Sequence, residues 1–134
     1  MACQSLTQRG GIIAAFVFTL TTMKNFLHTL ATAPESINFA DTIAVIDAHY
    51  DFTPTAFRNG ELDNAAGQNN GSCKVFSFAK LQQLTPQQTL HCFSSYYRND
   101  VLQHPEATDH QNIRNFMRFG WEGVVFQGEA LAAK

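Results

Sequence analysis

A long polar run interrupts an otherwise apolar chain, and this run limits how the chain can fold more than any other feature. Residues 58–72 contain four asparagines and three glycines. These residue types favour turns and weaken the interior of a helix or a strand. A loop of this length is uncommon inside a compact domain unless it contributes to a functional site. The run therefore predicts a loop that carries a site, with regular structure on both sides.

Composition predicts a single domain and argues against some partners. The chain has 134 residues, of which 45% are apolar and 12 are phenylalanines, so it can bury a core without disulfides or metals. The net charge of −2 provides no basic surface for phosphates, and we expect no nucleic-acid partner. The three cysteines are widely spaced and form no CxxC or CxxH pair. This pattern predicts reduced thiols, no metal and no other cofactor.

The first 22 residues form an N-terminal extension that has several interpretations. Arg9 precedes an apolar run over 12–20 that is too short to span a bilayer, so we expect no transmembrane segment. The run resembles the apolar region of a signal peptide, which favours a targeting segment. The alternatives are a tail, residues upstream of a true start at Met23, or an additional packed helix. We therefore separate the extension, 1–22, from a domain over 23–134, and expect this domain to fold without the extension.

Apolar periodicity and capping signals predict about five helices. The predicted helices cover 23–32, 37–50, 73–84, 86–104 and about 109–119. Ser72 is the predicted N-cap of the third helix, which is apolar on most faces and should therefore be central and buried. Thr85 with Gln88, and Thr108 with Gln111, have the spacing of capping boxes at the starts of the last two helices.

Little β structure is predicted. Residues 55–58 and 124–126 each have the composition of a short strand, and the two segments can pair with each other. The predicted fold class is therefore mainly α: a compact single-domain helical fold of about five helices, with a small two-stranded β element at most.

Four separate stretches resemble the HopJ family, which is named for type III effector proteins. The stretches are 46–54, 57–74, 96–105 and 109–116, and the resemblance extends from about Met23 to Leu131. It implies a bacterial protein with a virulence-related role, delivered into a host cell, but it implies no particular reaction. An effector usually has a polar N-terminus, whereas residues 12–20 are apolar. The bacterial cytoplasm is therefore the alternative location.

Cys73 is the candidate nucleophile. It is predicted in the first turn of a helix, where the dipole and the free backbone N–H groups lower the pKa of a thiol, and Lys74 adds a positive charge. His49 or His110 would serve as the base. The alternative is structural, with Cys73 as a small apolar side chain that packs at the start of a buried helix.

Amide and charged side chains are the candidate ligand-binding residues. The candidates are Asn59, Asn64, Asn69, Asn70, Arg98, Asp100 and Arg114. The amides both donate and accept, which suits a sugar, a nucleotide or a peptide. Arg114 and His110 lie four residues apart on one helical face that could receive a phosphate or a carboxylate. The alternative is that the amides bond the backbone of a tightly turning loop, and that ion pairs hold the loop at Pro105.

Three functions follow from these candidates. The first is a binding protein that uses the face of the asparagine- and glycine-rich loop to bind a protein or small-molecule partner. The second is a cysteine-dependent enzyme built on Cys73. The third is a structural or regulatory interaction protein. We favour the first, and an enzyme is the less favoured interpretation.

Overall fold

The computed structural model describes residues 22–134. Apart from Thr22, the extension predicted over 1–22 lies outside the described residues. The helices are α1 (22–32), α2 (Phe39–His49), α3 (Asn70–Leu81), α4 (Pro86–Cys92) and α5 (Gln111–Phe119), with a π-helix (Tyr96–Val101) and two 3-10 turns (Pro34–Ser36, Gly120–Gly123). Within this part of the chain, none of the helices is long and apolar enough to cross a membrane.

Within residues 22–134, five short strands form two separate antiparallel sheets. The strands are β1 (Tyr50–Phe52), β2 (Phe57–Asn59), β3 (Leu62–Asn64), β4 (Val124–Phe126) and β5 (Leu131–Ala133). One sheet pairs β1 with β5, and the other has the order β3-β2-β4. The prediction of a mainly α fold with at most one two-stranded element is therefore wrong, because the described fold is mixed α/β.

The missed strands have a common physical cause. Each strand has three residues, which is too short to show a period of two in the sequence. β1 follows α2 without a break, and the alanines of β5 favour a helix when they are considered locally. The pairing of the segments near 55–58 and 124–126 is confirmed, with Phe57 opposite Phe126 and Asn59 opposite Val124.

α3 is the central helix, as its all-round apolarity predicts. Val75, Phe76, Phe78 and Ala79 are completely buried. The ring of Phe76 lies against the rings of Phe57, Phe93, Phe116 and Trp121, at centroid distances of 5.0 to 6.4 Å. The aromatic core therefore joins α3 to β2, α5 and the turn that follows α5.

The starts of α3 and α5 differ from the prediction. α3 begins at Asn70, so Ser72 lies inside the first turn and the prediction that it caps the helix is wrong. The N-cap of α5 is His110, and the capping box predicted for Thr108 and Gln111 does not form. Instead, Gln111 Nε2 donates to the Thr108 carbonyl at 2.6 Å. The box at the start of α4, between Thr85 and Gln88, is confirmed.

The single helix predicted over 86–104 is divided in two. α4 ends at Cys92, and Ser94 has a positive φ of 58° before the π-helix begins. The apolar stripe is kept on the buried side, since Leu90, Tyr97 and Val101 are each at most 5% exposed. The periodicity therefore identified the buried face but not the break in the backbone.

Candidate functional site

A cleft of about 450 Å³ lies where the N-termini of α3 and α5 come together, and we call it the α3/α5 cleft. Gly71 and Ser72 from α3, and Gln111 and Asn112 from α5, contribute to its polar lining. Its apolar lining consists of Phe39, Leu62, Phe93, Tyr96 and Ile113.

Both helices that border the α3/α5 cleft begin without a capping side chain. The N-cap residues, Asn69 of α3 and His110 of α5, line the cleft and have left-handed backbones with φ of 53° and 51°. Neither side chain accepts a hydrogen bond from the first turn of its helix. The first N–H groups of a helix have no intrahelical acceptor, and the dipole makes that end positive. Two such ends at one cleft favour the binding of an anion.

The cleft has little charge of its own. None of its described lining residues is a lysine, arginine, aspartate or glutamate. The imidazole of His110 is engaged by two carboxylates, with Nε2 3.0 Å from Asp100 Oδ2 and 3.8 Å from Asp109 Oδ2. A polyphosphate is normally held by several cationic side chains. A ligand with one negative charge therefore matches the cleft better.

Tyr96 gives the cleft an accessible aromatic surface. Its ring centroid lies 5.1 Å from that of Phe39 and 5.2 Å from that of His110. Tyr96 is 40% exposed, whereas Phe93, which also lines the cleft, is 2% exposed. Tyr96 is the first residue of the π-helix. Short π-helical segments are rare in proteins, and those that do occur are often found at functional sites. An aromatic ring of a ligand can pack against this surface.

A buried network of asparagines holds the two helix starts in place. Asn59 Nδ2 donates to the Asn112 carbonyl at 2.7 Å and to Asn112 Oδ1 at 3.0 Å. Asn64 and Asn112 exchange side-chain hydrogen bonds of 3.1 and 2.9 Å, and Asn69 Nδ2 donates to Asn64 Oδ1 at 2.7 Å. The network therefore joins β2 and β3 to the N-cap of α3 and to the first turn of α5.

The predicted ligand-binding asparagines have different positions relative to the cleft. Asn69 lines it, while Asn70 is exposed as the first residue of α3. Asn59 and Asn64 are 0% and 3% exposed and belong to the buried network. Their contacts support the structural alternative that the sequence left open for these two residues.

Cys73 does not have the environment of an activated thiol. It is 1% exposed, and its Sγ lies 3.5 Å from the Thr55 carbonyl oxygen. Burial raises the pKa of the Cys73 thiol, which is opposite to the change that a nucleophilic thiolate requires. Of the two predicted bases, His110 is engaged with Asp100, and His49 Nδ1 lies 2.8 Å from the Val45 carbonyl oxygen. The catalytic roles stay predictions, and the thiol environment does not favour them.

The predicted arginines hold backbone segments together. The Arg98 guanidinium lies within hydrogen-bond distance of the carbonyls of Pro34 and Ile37, and so links the π-helix to the segment before α2. Arg114 Nη2 donates to Asp109 Oδ1 at 2.7 Å, and Nη1 donates to the Pro105 carbonyl at 3.3 Å. The hydrogen bond from Arg114 lowers the pKa of the Asp109 carboxyl. These contacts support the alternative in which charged groups hold the loop at Pro105.

Two residues of the cleft, Asn69 and His110, are among the candidates predicted from the sequence. Tyr96 and Asn112 were not predicted, although both belong to stretches that carry the family resemblance. One local signal was present for Asn112, because an amide beside Ile113 interrupts the apolar face of α5. No local signal identified Tyr96, since its exposure depends on the break in the backbone at Ser94.

Comparisons with known proteins agree with the resemblance. The model of the HopJ type III effector protein family matches residues 23–131. The fold is similar to the crystal structure of VPA0580, a protein described as of unknown function, with 57% sequence identity and a TM-score of 0.82. The match covers 83% of this chain and 92% of that chain. No curated protein matches the chain. The predicted resemblance is confirmed: the chain belongs to the HopJ type III effector protein family.

Proposed function

We propose that this protein is a binding module whose α3/α5 cleft takes a small ligand with one aromatic ring and one carboxylate. The observation that carries the proposal is the convergence of two uncapped helix N-termini beside the exposed ring of Tyr96. The backbone donors and helix dipoles would hold the carboxylate, and the aromatic surface would hold the ring.

The rare backbone conformations around the cleft support this proposal. The left-handed residues Asn69 and His110 and the π-helix Tyr96–Val101 all contribute to its lining. A left-handed backbone costs a non-glycine residue roughly 1–2 kcal/mol, and such positions cluster at binding and active sites. At Asn69 the strain is maintained by the hydrogen bond to Asn64. The fold therefore has two helix N-termini without a capping side chain, and the left-handed backbones of their N-cap residues lower its free energy of unfolding.

The other two functions have less support. A cysteine-dependent enzyme needs an activated thiolate, and burial raises the pKa of Cys73. A purely structural interaction protein should present a contiguous apolar surface. Besides Tyr96, the large apolar side chains that are exposed in the described part of the chain are Leu81, Leu102, Met117 and Val125. Leu102 and Met117 line one small pocket together, whereas Leu81 and Val125 do not line it.

A set of three probes tests the proposal. Benzoate has the ring and the carboxylate, benzamide has the ring without the charge, and acetate has the charge without the ring. We expect benzoate to bind with a Kd of about 1 mM, as suits a fragment of this size, and to shift the backbone amide signals of Ser72 and Gln111 in an NMR titration. Benzamide and acetate should each bind at least about tenfold more weakly, because each loses one of the two contacts.

Matched variants locate the binding site. Tyr96→Ala should weaken benzoate binding, whereas Leu102→Ala should leave it unchanged, since Leu102 is similarly exposed but does not line the cleft. Shifts spread over the whole surface, or equal binding by benzoate and benzamide, would refute the proposal. If Tyr96→Ala and Leu102→Ala change benzoate binding equally, benzoate binds outside the α3/α5 cleft.

The family name suggests where such a module would act. We propose that the protein is a type III effector that reaches a host cell, with the bacterial cytoplasm as the alternative location. A fusion to a reporter that is active only inside host cells separates these locations. Signal that depends on a functional type III secretion system supports delivery, and signal retained in the bacteria contradicts it.

A further inference from the structure

The chain contains two Asn-Gly steps, Asn59-Gly60 and Asn70-Gly71, and they have very different environments. In such a step the glycine amide nitrogen can attack the side-chain carbonyl carbon of the asparagine. The new C–N bond closes a succinimide, and the side-chain nitrogen leaves as ammonia. Water then opens the ring to an aspartate or to an isoaspartate. Glycine permits this reaction better than any other following residue, because it has no side chain to obstruct the attack.

The Asn59-Gly60 step is protected by the fold. Asn59 is completely buried, and its Nδ2 is held by two hydrogen bonds to Asn112. The attacking nitrogen is also occupied, since the Gly60 N–H donates to the Gly123 carbonyl at 2.9 Å. Ring closure at this step would require much of the domain to open.

The Asn70-Gly71 step has none of these protections. Asn70 is exposed, and its side chain makes no hydrogen bond within residues 22–134. Gly71 is the second residue of α3, so its N–H has no intrahelical acceptor. The N-cap residue, Asn69, is left-handed and provides no capping side chain. Ring closure therefore breaks no hydrogen bond of the Asn70 side chain and no intrahelical bond of the Gly71 N–H, and it needs only a local change in the backbone of Asn70.

We propose that Asn70 is a site of spontaneous deamidation, and that Asn59 is not. The product carries a new negative charge at the start of α3. The isoaspartyl form also adds a methylene to the main chain directly before Gly71, which lines the α3/α5 cleft. If the proposed function holds, both products weaken the binding of a carboxylate; this consequence rests on the proposed function, whereas the modification itself does not. As the deamidated fraction of the protein increases with time, the cleft would then lose its affinity for a carboxylate.

Incubation of the full chain at mildly alkaline pH, followed by peptide mapping with mass spectrometry, tests the modification. In the folded protein Asn70 should convert at least about tenfold faster than Asn59, a ratio that corresponds to about 1.4 kcal/mol. In urea, where both steps are unfolded, the two rates should become similar. Equal rates in the folded protein, or a folded Asn70 that stays intact while the unfolded chain converts, would overturn the proposal.

Two variants separate the modification from its consequence. Asn70→Gln should abolish conversion at this position, because a glutamine must close a larger and less favoured ring. Asn70→Asp reproduces one product directly and should weaken benzoate binding by at least about tenfold. If Asn70 converts but Asn70→Asp binds benzoate normally, the modification stands and its effect on binding is refuted. If no form binds benzoate, the proposed function fails independently of the modification.

Discussion

Asn112→Ala should be among the most destabilising polar substitutions at the α3/α5 cleft. The Asn112 side chain accepts hydrogen bonds from Asn59 and Asn64 at 3.0 and 3.1 Å, and donates one to Asn64 at 2.9 Å. Each hydrogen bond contributes about 1 kcal/mol net, so the loss of all three is about 3 kcal/mol. Both partner amides keep another acceptor, the Asn112 carbonyl for Asn59 and the Phe57 carbonyl for Asn64. Each Nδ2 group has two N–H donors, however, and the donor that bonded Asn112 Oδ1 loses that acceptor, so about 3 kcal/mol is the minimum expected loss.

Asn115→Ala is the matched control, because Asn115 lies one turn further along the same helix. Its side chain makes one partly exposed hydrogen bond, to the Gln111 carbonyl at 2.8 Å. Its loss should cost less than about 1 kcal/mol. Urea denaturation gives the free energy of unfolding of each variant, and the m value should not change. If Asn112→Ala and Asn115→Ala are equally stable within about 0.5 kcal/mol, the network does not stabilise the helix starts as argued.

Two further predictions concern pH and steric fit. Burial raises the pKa of Cys92 to about 12, so its stabilising contribution is complete below the ordinary thiol value of about 8.5 and is lost as the pH rises towards the folded value. The free energy of unfolding should decrease across this range, and less steeply in Cys92→Ala; equal pH dependence of the two proteins would contradict this. Gly123→Ala should destabilise the fold by about 2 kcal/mol, since its Cβ would lie 2.8 Å from Phe119 Cβ. Gly128→Ala is the control, because the nearest atom to its Cβ is 3.9 Å away; similar melting temperatures for the two glycine variants would refute the steric argument.

The sequence predicted those elements whose signals are local. The start of α4 is determined by a capping box whose residues, Thr85 and Gln88, lie within a four-residue segment. The all-round apolarity of 73–84 correctly identified the central helix, because burial on every side leaves a pattern in composition alone. The family resemblance likewise depended on ordered stretches of sequence rather than on contacts.

Features that depend on distant contacts could not be predicted. β1 and β5 form a sheet by pairing with each other across the chain, and nothing in a three-residue segment identifies its partner strand. Asn69 adopts its left-handed backbone where its side chain reaches Asn64, a contact that the sequence does not indicate, so Ser72, three positions later, was predicted as the cap. Cys73 was correctly placed near a helix start, but its position along the chain gives no information on burial.

The β1–β5 sheet also determines when the domain can be completed during synthesis. Tyr50 pairs with Ala133, and the Lys134 N–H donates to the His49 carbonyl at 3.0 Å, so the last residues of the chain bond to its middle. A loop of roughly 80 residues must close before this pairing forms, which is an entropically costly and slow step. β1 therefore has no strand partner until residues 131–133 have been synthesised and have docked against it. Until then, this strand is an open edge that a chaperone can recognise or that a second chain can pair with.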